Sequence, residues 1–404
     1  MRSIQLTIID QVIVSASNFL VIVLVARELG LADFGYVGLA YLTILFLNSQ
    51  HRALITQPLN VMFFGKPENE RTQYISSLFW MHGLWFAFAI VLILSISYFF
   101  FSDVYLVLGA IVFLISSQLQ EFVRRYWYSS DEIHKSVVND GVCYIGRLLI
   151  VSLFCWFDEF TLENVFFVFS ITTTIGFCIS FRQGFRLGFV PFNAIKNAFV
   201  AHWAYGKWLL LVTLSIMGAT QLYPFVLKVH GAEVVGAFIA IRHILNAVSF
   251  GVQAVNSYLP GQLSRLLEQA NNVAIKQLMN RLLIFLFFSG LMFFVVISVY
   301  AKEVLMFFYG IDDETLILPF IILAIGSVFT LLSSVPNSYL LTKEKTKNIF
   351  KIYFIGMVAS LTLGAFLAAQ FGLVGGAICV AFVLMYVFFA QLMLAKRKFG
   401  ESSS

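Results

Sequence analysis

The sequence predicts an all-α polytopic membrane protein, with about 12 transmembrane helices in two parallel six-helix repeats that form a central cavity. Its composition is 60% hydrophobic and 12% charged, and its mean hydropathy is +0.89. Long apolar runs fill nearly the whole chain, and one short motif occurs once in each half. A β-barrel does not fit, because barrel strands alternate polar and apolar residues over about 10 positions, whereas these runs are continuous.

Twelve apolar segments follow one another along the chain. A helix that crosses the hydrocarbon core needs about 20 mainly apolar residues, since no water there can satisfy an exposed backbone group. The predicted spans are 8–26, 34–57, 74–101, 104–123, 136–157, 161–181, 206–228, 233–258, 282–301, 315–341, 350–370 and 372–395. The stretches between them are too short for a soluble domain, which disfavours a membrane enzyme that holds its chemistry at the water interface.

The distribution of basic residues predicts the orientation. Most of the 26 Lys and Arg residues fall on the side of the membrane that holds both termini, whereas Arg27, Lys228 and Lys302 lie on the other. Because cytoplasmic loops carry an excess of Lys and Arg, both termini are expected on the cytoplasmic side of the inner membrane. This topology accounts for the net charge of +5, and no nucleic-acid partner is expected.

The spans divide into two halves of nearly equal length. We expect an N-terminal six-helix lobe at residues 1–183, a cytoplasmic linker at 184–205 and a C-terminal six-helix lobe at 206–404. Six is an even number, so both halves enter the membrane in the same direction, which makes a parallel repeat. Substrate sites of such folds lie at the interface between the repeats.

A short motif supports this division. The pattern R-x-x-G-x-x-x-x-G at 27–35 and the pattern K-x-x-G-x-x-x-x-G at 228–236 each join the first and second spans of a half. Gly30 and Gly231 come just after the end of a span, where a left-handed cap is expected, and the basic residue before each complements the helix dipole. The motif therefore predicts a structural hinge and not a substrate contact.

Polar residues within the spans share helical faces, which is informative because polar groups are costly inside a membrane. Five of the predicted spans carry such stripes. They are Gln11, Ser15 and Asn18; Tyr41, Asn48 and Arg52; Ser136, Asp140, Cys143 and Arg147; Arg242, Asn246, Ser249, Gln253 and Asn256; and Ser327, Thr330, Ser334 and Asn337. Hydrogen bonds between helices explain single polar residues. Stripes on five helices predict a water-filled cavity between the halves.

Three arginines lie inside the predicted spans: Arg52, Arg147 and Arg242. A guanidinium stays charged and bonds phosphate or carboxylate oxygens with paired hydrogen bonds, so three of them predict an anionic ligand. The alternatives are an ion pair across helices for Arg147 and an extended side chain reaching the interface for the other two. The candidate substrate-binding residues are Arg52, Arg147, Arg242, Asn18, Asn48, Asn246 and Gln253.

Two acidic residues are candidates for coupling to an H⁺ or Na⁺ gradient, namely Asp140 and Glu121. Glu121 lies one turn from Arg124 and Arg125, and an ion pair with either is the alternative. Asp10 is expected to be an interface or cap residue. No cysteine spacing indicates a metal site, and no cofactor is expected.

The stretches DQVIVSASNFLVIVLVARELGLADFGYVGLA at 10–40 and FGLVGGAICVAFVLM at 371–385 resemble the polysaccharide flippases, the O-antigen (Wzx-type) translocases of the MATE-like (MOP) superfamily. The resemblance implies a V-shaped pair of six-helix lobes with a cationic cavity. It implies alternating-access transport of an undecaprenyl-pyrophosphate-linked oligosaccharide to the outer leaflet, driven by an ion gradient, for O-antigen, lipopolysaccharide or capsule synthesis. Polysaccharide assembly proteins would be its partners.

The sequence is also compatible with other functions. A multidrug exporter of the same superfamily would favour acidic residues in its cavity, and a polysaccharide polymerase or ligase would be an enzyme, which we do not expect here. A major-facilitator protein shares the twelve spans. The Gly-Asp-Arg signature which that class carries between its second and third spans is missing from GKPENERTQY at 65–74.

Overall fold

The computed structural model describes residues 2–101, 103–269 and 271–401, and these are helical almost throughout, with no strand among them. The α-helices are α1 (Arg2–His51), α2 (Gln57–Met62), α3 (Glu68–Phe100), α4 (Val104–Ser129), α5 (Ile133–Asp140), α6 (Gly146–Trp156), α7 (Val165–Arg182), α8 (Phe192–Thr220), α9 (Tyr223–Leu227), α10 (Ala232–Leu245), α11 (Ser249–Glu268), α12 (Asn272–Val299), α13 (Ala301–Tyr309), α14 (Ile317–Thr342), α15 (Thr346–Ala359) and α16 (Ala365–Glu401).

Ten helical segments within these ranges are long and apolar enough to cross a membrane. Two of them, Gln5–Met62 and Thr346–Arg397, have 58 and 52 residues, more than twice the length that one crossing needs. Each holds two predicted spans, and its helix is kinked at a glycine near the boundary between them, at Gly30 or at Gly372. The ten segments thus account for all twelve predicted spans, and the predicted all-α polytopic fold is confirmed.

The repeated motif adopts a similar backbone in both halves. Gly30 has φ 71° and ψ 171°, and Gly231 has φ 107° and ψ 158°. The predicted positive φ is confirmed at both positions. The predicted left-handed helical cap is wrong, because the observed ψ places both residues in an extended region that essentially only glycine enters. The same turn occurs twice in the sequence because a side chain would be strained at either position.

Three π-helical turns occur in the described residues, and the sequence pattern did not predict them. They are Arg52–Thr56, Gly141–Ile145 and Ser360–Gly364. The first begins at one candidate residue, and the second comes directly after Asp140. A π turn disturbs the regular ladder of helical hydrogen bonds and is frequent at functional sites. At the first turn, His202 of α8 donates from Nδ1 to the carbonyl of Leu54, at 3.0 Å.

The chain divides into two compact units, which we call unit 1 (residues 1–213) and unit 2 (residues 214–404). In unit 1, α4 packs along α7, and an aromatic core gathers around Phe122, Trp127 and Phe185. In unit 2, α14 is the central helix and contacts α11, α12 and α16. The segment expected as a linker at 184–205 is helical from Phe192 onward, because α8 continues without a break to Thr220.

Candidate functional site

A buried ionic cluster in unit 1 centres on Arg124 of α4. Its Nη2 lies 2.8 Å from Oδ2 of Asp10 on α1, and its Nε lies 2.6 Å from Oδ2 of Asp140 on α5. Both aspartates are fully buried. One arginine therefore joins three helices through two carboxylates. The expectation that Asp10 is an interface or cap residue is wrong, because its side chain points into this cluster.

The side chains that complete the cluster share one face of α4. Gln120 donates to Oδ1 of Asp140 at 2.5 Å, and Tyr128 donates to Oδ2 of Asp10 at 2.6 Å. Gln120, Arg124 and Tyr128 are four residues apart, so they lie above one another along the helix. The predicted span 104–123 ends one residue before Arg124, so the sequence pattern did not reveal this face. The i, i+4, i+8 spacing is the signal that could have revealed it.

Glu121 lies beside this cluster, but its main ion pair is with Arg125. Its Oε1 accepts a hydrogen bond from Nε of Arg125 at 2.8 Å, and its Oε2 lies 3.6 Å from Nη1 of Arg124. The alternative weighed for Glu121, an ion pair with a neighbouring arginine, is what the structure contains. Both candidate coupling acids, Asp140 and Glu121, are thus paired with arginine.

Arg147, at the start of α6, is only 3% exposed. Its guanidinium lies over the rings of Phe169, Phe113 and Tyr144, at 4.6, 5.1 and 5.3 Å from their centroids. Within the described ranges, no carboxylate lies within ion-pair distance of this arginine, and its Nε has no hydrogen-bond partner. The ion pair across helices that could have explained Arg147 is therefore not formed. Aromatic faces stabilise the cation but leave its charge uncompensated.

The other unit 1 candidates do not converge on Arg147. Arg52 is exposed at the first residue of its π turn, where it acts electrostatically on Glu121. Asn48 accepts a hydrogen bond from Gln118 at 3.0 Å and so belongs to the packing between α1 and α4. Asn18 interacts through its side chain with Tyr41.

Unit 2 contains a cavity of about 270 Å³ beside Arg242, lined by both polar and apolar side chains. Nη1 of Arg242 donates to the carbonyl oxygen of Thr220 at 2.7 Å and to Oε1 of Gln221 at 2.8 Å. The hydrogen-bonding side chains that line the cavity are Thr220, Gln221, Arg242, Asn246, Ser249, Ser327, Thr330 and Tyr353. None of the described lining residues is an acid. The arginine is held in place by neutral partners and keeps its charge available to the cavity.

The predicted stripe on the eighth span is only partly retained. A 3₁₀ turn at Asn246–Val248 separates α10 from α11, so the polar residues do not lie on one regular helix. A 3₁₀ residue turns about 120°, compared with about 100° in an α-helix, so a three-residue turn rotates the downstream helix by about 60°. Asn246 and Ser249 line the cavity, whereas Gln253 is exposed and lies outside its lining.

Acids are placed differently in the two units. In unit 2, every Asp and Glu whose side chain is described is exposed. The fully buried aspartates of unit 1 have no counterpart among them. In the described part of the chain, no three His, Cys, Asp or Glu side chains come together as metal ligands would.

No protein-family model matches the chain, and no curated protein sequence matches it either. Solved structures with a similar fold do exist. A multidrug-resistance MATE family transporter of the MOP superfamily, in an inward-facing conformation, has a TM-score of 0.77 at 12% identity, over 99% of both chains. The lipid II flippase MurJ, in an inward closed conformation, has a TM-score of 0.74 at 14% identity, over 99% of this chain and 90% of its own.

A variant of the MATE transporter VcmN from Vibrio cholerae has a TM-score of 0.67 at 15% identity, over 99% of this chain and 97% of its own. These likenesses establish a MATE-like fold for this multi-pass membrane protein. At such low identity they establish nothing further about its cargo.

Proposed function

We propose that this protein is a transporter that moves a lipid-pyrophosphate-linked oligosaccharide repeat unit across the cytoplasmic membrane by alternating access, for the synthesis of O-antigen, lipopolysaccharide or capsule. The lipid carrier would be undecaprenyl pyrophosphate, moved from the cytoplasmic to the outer leaflet. The observation that carries this proposal is that Arg147 and Arg242 each lie within a unit without an acidic partner among the described residues.

A charge removed from water costs several kcal/mol unless it is paired, so unpaired arginines inside membrane helices need a reason. In unit 1, Asp10 and Asp140 pair with Arg124, and Glu121 pairs with Arg125. None of these acids pairs with Arg147. In unit 2 no buried acid faces Arg242 among the described side chains. A pyrophosphate supplies the missing negative charge and matches the fork of a guanidinium.

The cavity of unit 2 also suits the glycan part of such a cargo. Besides Arg242, its polar lining consists of hydroxyl and amide side chains, which can donate to and accept from sugar hydroxyls. Its volume of about 270 Å³ is near the lower end of ligand pockets, which run from about 300 to 1,000 Å³. We therefore assign it one part of the head group and leave the lipid tail in the bilayer.

Two further points support a lipid-linked cargo. One structural neighbour at a TM-score of 0.74 is described as a lipid II flippase. The distribution of Lys and Arg predicts that both termini lie in the cytoplasm, an orientation that suits a cargo made there. Partners would then include the bilayer itself and polysaccharide assembly proteins.

We propose Asp140 and Glu121 as the residues that couple transport to an H⁺ or Na⁺ gradient. The ion pairs of Arg124 support this for Asp140, since the carboxylates of Asp10 and Asp140 share one guanidinium and leave a net negative charge. Glu121 has weaker support, because its charge is matched by Arg125. No resident cofactor is part of this proposal.

A second candidate function is an ion-coupled multidrug exporter. The two fully buried aspartates, Asp10 and Asp140, favour it, since buried carboxylates can bind cationic drugs. Both, however, contact Arg124, which a drug cation would have to replace. The arginines without acidic partners favour an anionic cargo.

The test replaces Arg52, Arg147 and Arg242 singly by Ala and by Gln in the native strain and measures surface polysaccharide. We expect surface polysaccharide to fall at least tenfold for Arg147 and Arg242, with lipid-linked repeat units accumulating in the cell. Arg182→Gln is the matched control, because Arg182 is exposed at the end of α7. Wild-type polysaccharide at normal protein levels in all three positions would refute the proposal.

A strain that lacks the protein separates the alternative functions. A deletion strain with normal polysaccharide but increased sensitivity to cationic dyes would identify the exporter. Export of single, unpolymerised repeat units would identify a polymerase, since a strain without a flippase exports none.

A further inference from the structure

A groove of about 330 Å³ lies between α3 and α8 in unit 1, and the proposed function does not use it. On α3 its wall includes Met81, Leu84 and Phe88, which recur at helical spacing and so share one face. On α8 its wall includes Phe199 and Trp203, whose rings stack at 6.3 Å between centroids. We call this feature the α3–α8 groove, and its walls are mainly aromatic and aliphatic.

Hydrogen bonds hold the walls of the α3–α8 groove in place. Nδ1 of His202 donates to the carbonyl oxygen of Leu54 at 3.0 Å, which leaves its Nε2 to accept from the hydroxyl of Tyr74 at 2.7 Å. The indole of Trp85 donates to Oε1 of Gln118 at 2.8 Å. These polar groups of the lining already have partners, so the groove offers an occupant mainly apolar contacts.

Among the described residues that line the α3–α8 groove, one is charged, namely Lys196 of α8. It is exposed, and no carboxylate in the part of the chain that the structure describes lies within ion-pair distance of it. The distribution of Lys and Arg predicts the cytoplasmic side for this part of α8. The groove residues of α3 fall in the half of the predicted span 74–101 that begins on the same side.

This arrangement fits a lipid of the cytoplasmic leaflet. Leu84 and Phe88 are exposed on a helix that is long and apolar enough to cross a membrane, where hydrocarbon chains are the surrounding solvent. One ammonium beside an apolar groove matches one phosphodiester above an acyl chain. The pyrophosphate of the proposed cargo has a second charge that Lys196 leaves unmatched, and a polyprenyl chain is much longer than the rise of about 10 Å from Met81 to Phe88.

We propose that the α3–α8 groove is a binding site for an anionic phospholipid, with one acyl chain in the groove and the phosphate paired with Lys196. The bound lipid contacts α3, α8 and the first π turn together and so holds these three elements against one another. The site is separate from the arginines assigned to the cargo. The inference goes beyond the proposed function and does not depend on what is transported.

The test uses the fluorescence of Trp203, which lines the groove, in nanodiscs of phosphatidylcholine. A small fraction of the lipid carries brominated acyl chains, which quench a tryptophan that they touch, and is either phosphatidylglycerol or phosphatidylcholine. The signal of Trp203 is the difference between wild type and Trp203→Phe. We expect its quenching to be about fivefold stronger with brominated phosphatidylglycerol, the size of effect expected for one lysine beside an anionic lipid.

Lysine variants test the assigned ion pair. Lys196→Gln should reduce quenching by phosphatidylglycerol to the level of phosphatidylcholine, whereas Lys196→Arg should keep the preference. Lys207→Gln is the matched control, because Lys207 is an exposed lysine of α8 outside the groove lining, and it should also keep the preference. A preference that survives in Lys196→Gln would overturn the proposal.

A second tryptophan shows whether the effect belongs to the groove. Trp80 is exposed on α3 but lies outside the groove lining, so its signal, obtained with Trp80→Phe, should be quenched equally by the two lipids. Equal quenching of Trp203 by the two lipids would mean that the groove holds ordinary bilayer lipid and would overturn the proposal.

Competition identifies the kind of lipid. Unbrominated phosphatidylglycerol should restore the fluorescence of Trp203, whereas a polyprenyl-pyrophosphoryl disaccharide at the same mole fraction should not. Stronger displacement by the disaccharide would assign the groove to the transported lipid and overturn the phospholipid site.

Discussion

The two units use buried charge in different ways. Unit 1 buries acids together with bases, as in the Asp10–Arg124–Asp140 cluster, and keeps Arg147 apart among aromatic rings. Unit 2 keeps its described acids exposed, and there Arg242 bonds neutral partners beside a cavity lined by polar and apolar side chains. The two halves repeat the same glycine turn but not the same electrostatics. Similarity of backbone therefore does not make the halves equivalent in function.

The two kinds of buried arginine, with and without acidic partners, are expected to have different roles. An arginine between two buried carboxylates holds helices together, and its removal leaves unpaired charges in the interior. An arginine without an acidic partner has a charge that the anionic group of a ligand can pair with. On this basis Arg124 is a stabilising residue, whereas Arg147 and Arg242 are candidates for binding.

The largest effect is expected at Arg124. Arg124→Gln leaves Asp10 and Asp140 without their cation, and breaking a buried pair in this way costs about 3–5 kcal/mol. Arg125→Gln removes a partly exposed pair with Glu121 and should cost at most about 1 kcal/mol. Thermal unfolding in detergent measures both. Equal melting temperatures for the two variants would show that the cluster does not hold unit 1 together.

The repeated turn predicts an intermediate effect that should be alike in the two units. Gly30→Ala and Gly231→Ala each force a side chain into a backbone region close to glycine-only, at a cost of about 1–3 kcal/mol. Gly83→Ala and Gly261→Ala are the controls, since these helical glycines have open space and alanine should stabilise them by about 0.5–1 kcal/mol. Thermal unfolding in detergent measures the stability of these four variants. Stability unchanged at Gly30 or Gly231 would contradict the hinge assignment.

The smallest effect distinguishes two residues of one predicted stripe. Asn246→Ala removes a hydrogen-bonding group from the cavity of unit 2. It should weaken binding of a polyprenyl-pyrophosphoryl disaccharide to the purified protein by about 1 kcal/mol, or roughly fivefold in Kd. Gln253→Ala should leave binding unchanged, because Gln253 lies outside the cavity lining. Equal losses of binding affinity in the two variants would instead support the regular polar stripe that the sequence predicted.

The fold was largely predictable because it depends on local properties. Span length and apolar composition identify membrane helices, and the glycine motif marked the two equivalent turns. The kink at Gly372 and the π turns were not foreseen, because they depend on packing against other helices and not on composition. The tertiary contacts of α8 likewise decide that residues from Phe192 onward form a helix where a linker was expected.

The candidate site was less predictable, for a physical reason. Asp10 and Arg124 are far apart in sequence, and only the packing of α1 against α4 brings them together. Helical periodicity shows which residues share a face but not which face meets another. The arginine residues could be singled out because their charge is costly in a membrane, whereas their partners could not be named. The absence of acidic partners for Arg147 and Arg242 among the described residues became visible only in three dimensions.

The most direct test of the central claim is a transbilayer assay in proteoliposomes, with a fluorescent polyprenyl-pyrophosphoryl disaccharide as the cargo. Wild type should move the probe between leaflets. Arg147→Gln and Arg242→Gln should each slow this transfer by about 10- to 100-fold, which corresponds to the loss of about 1.5–3 kcal/mol from a hydrogen bond to a charged group. Arg182→Gln, which changes an exposed arginine at the end of α7, should transfer at the wild-type rate. Wild-type transfer by the Arg147→Gln, Arg242→Gln double variant would contradict the claim that the unpaired arginines bind the cargo.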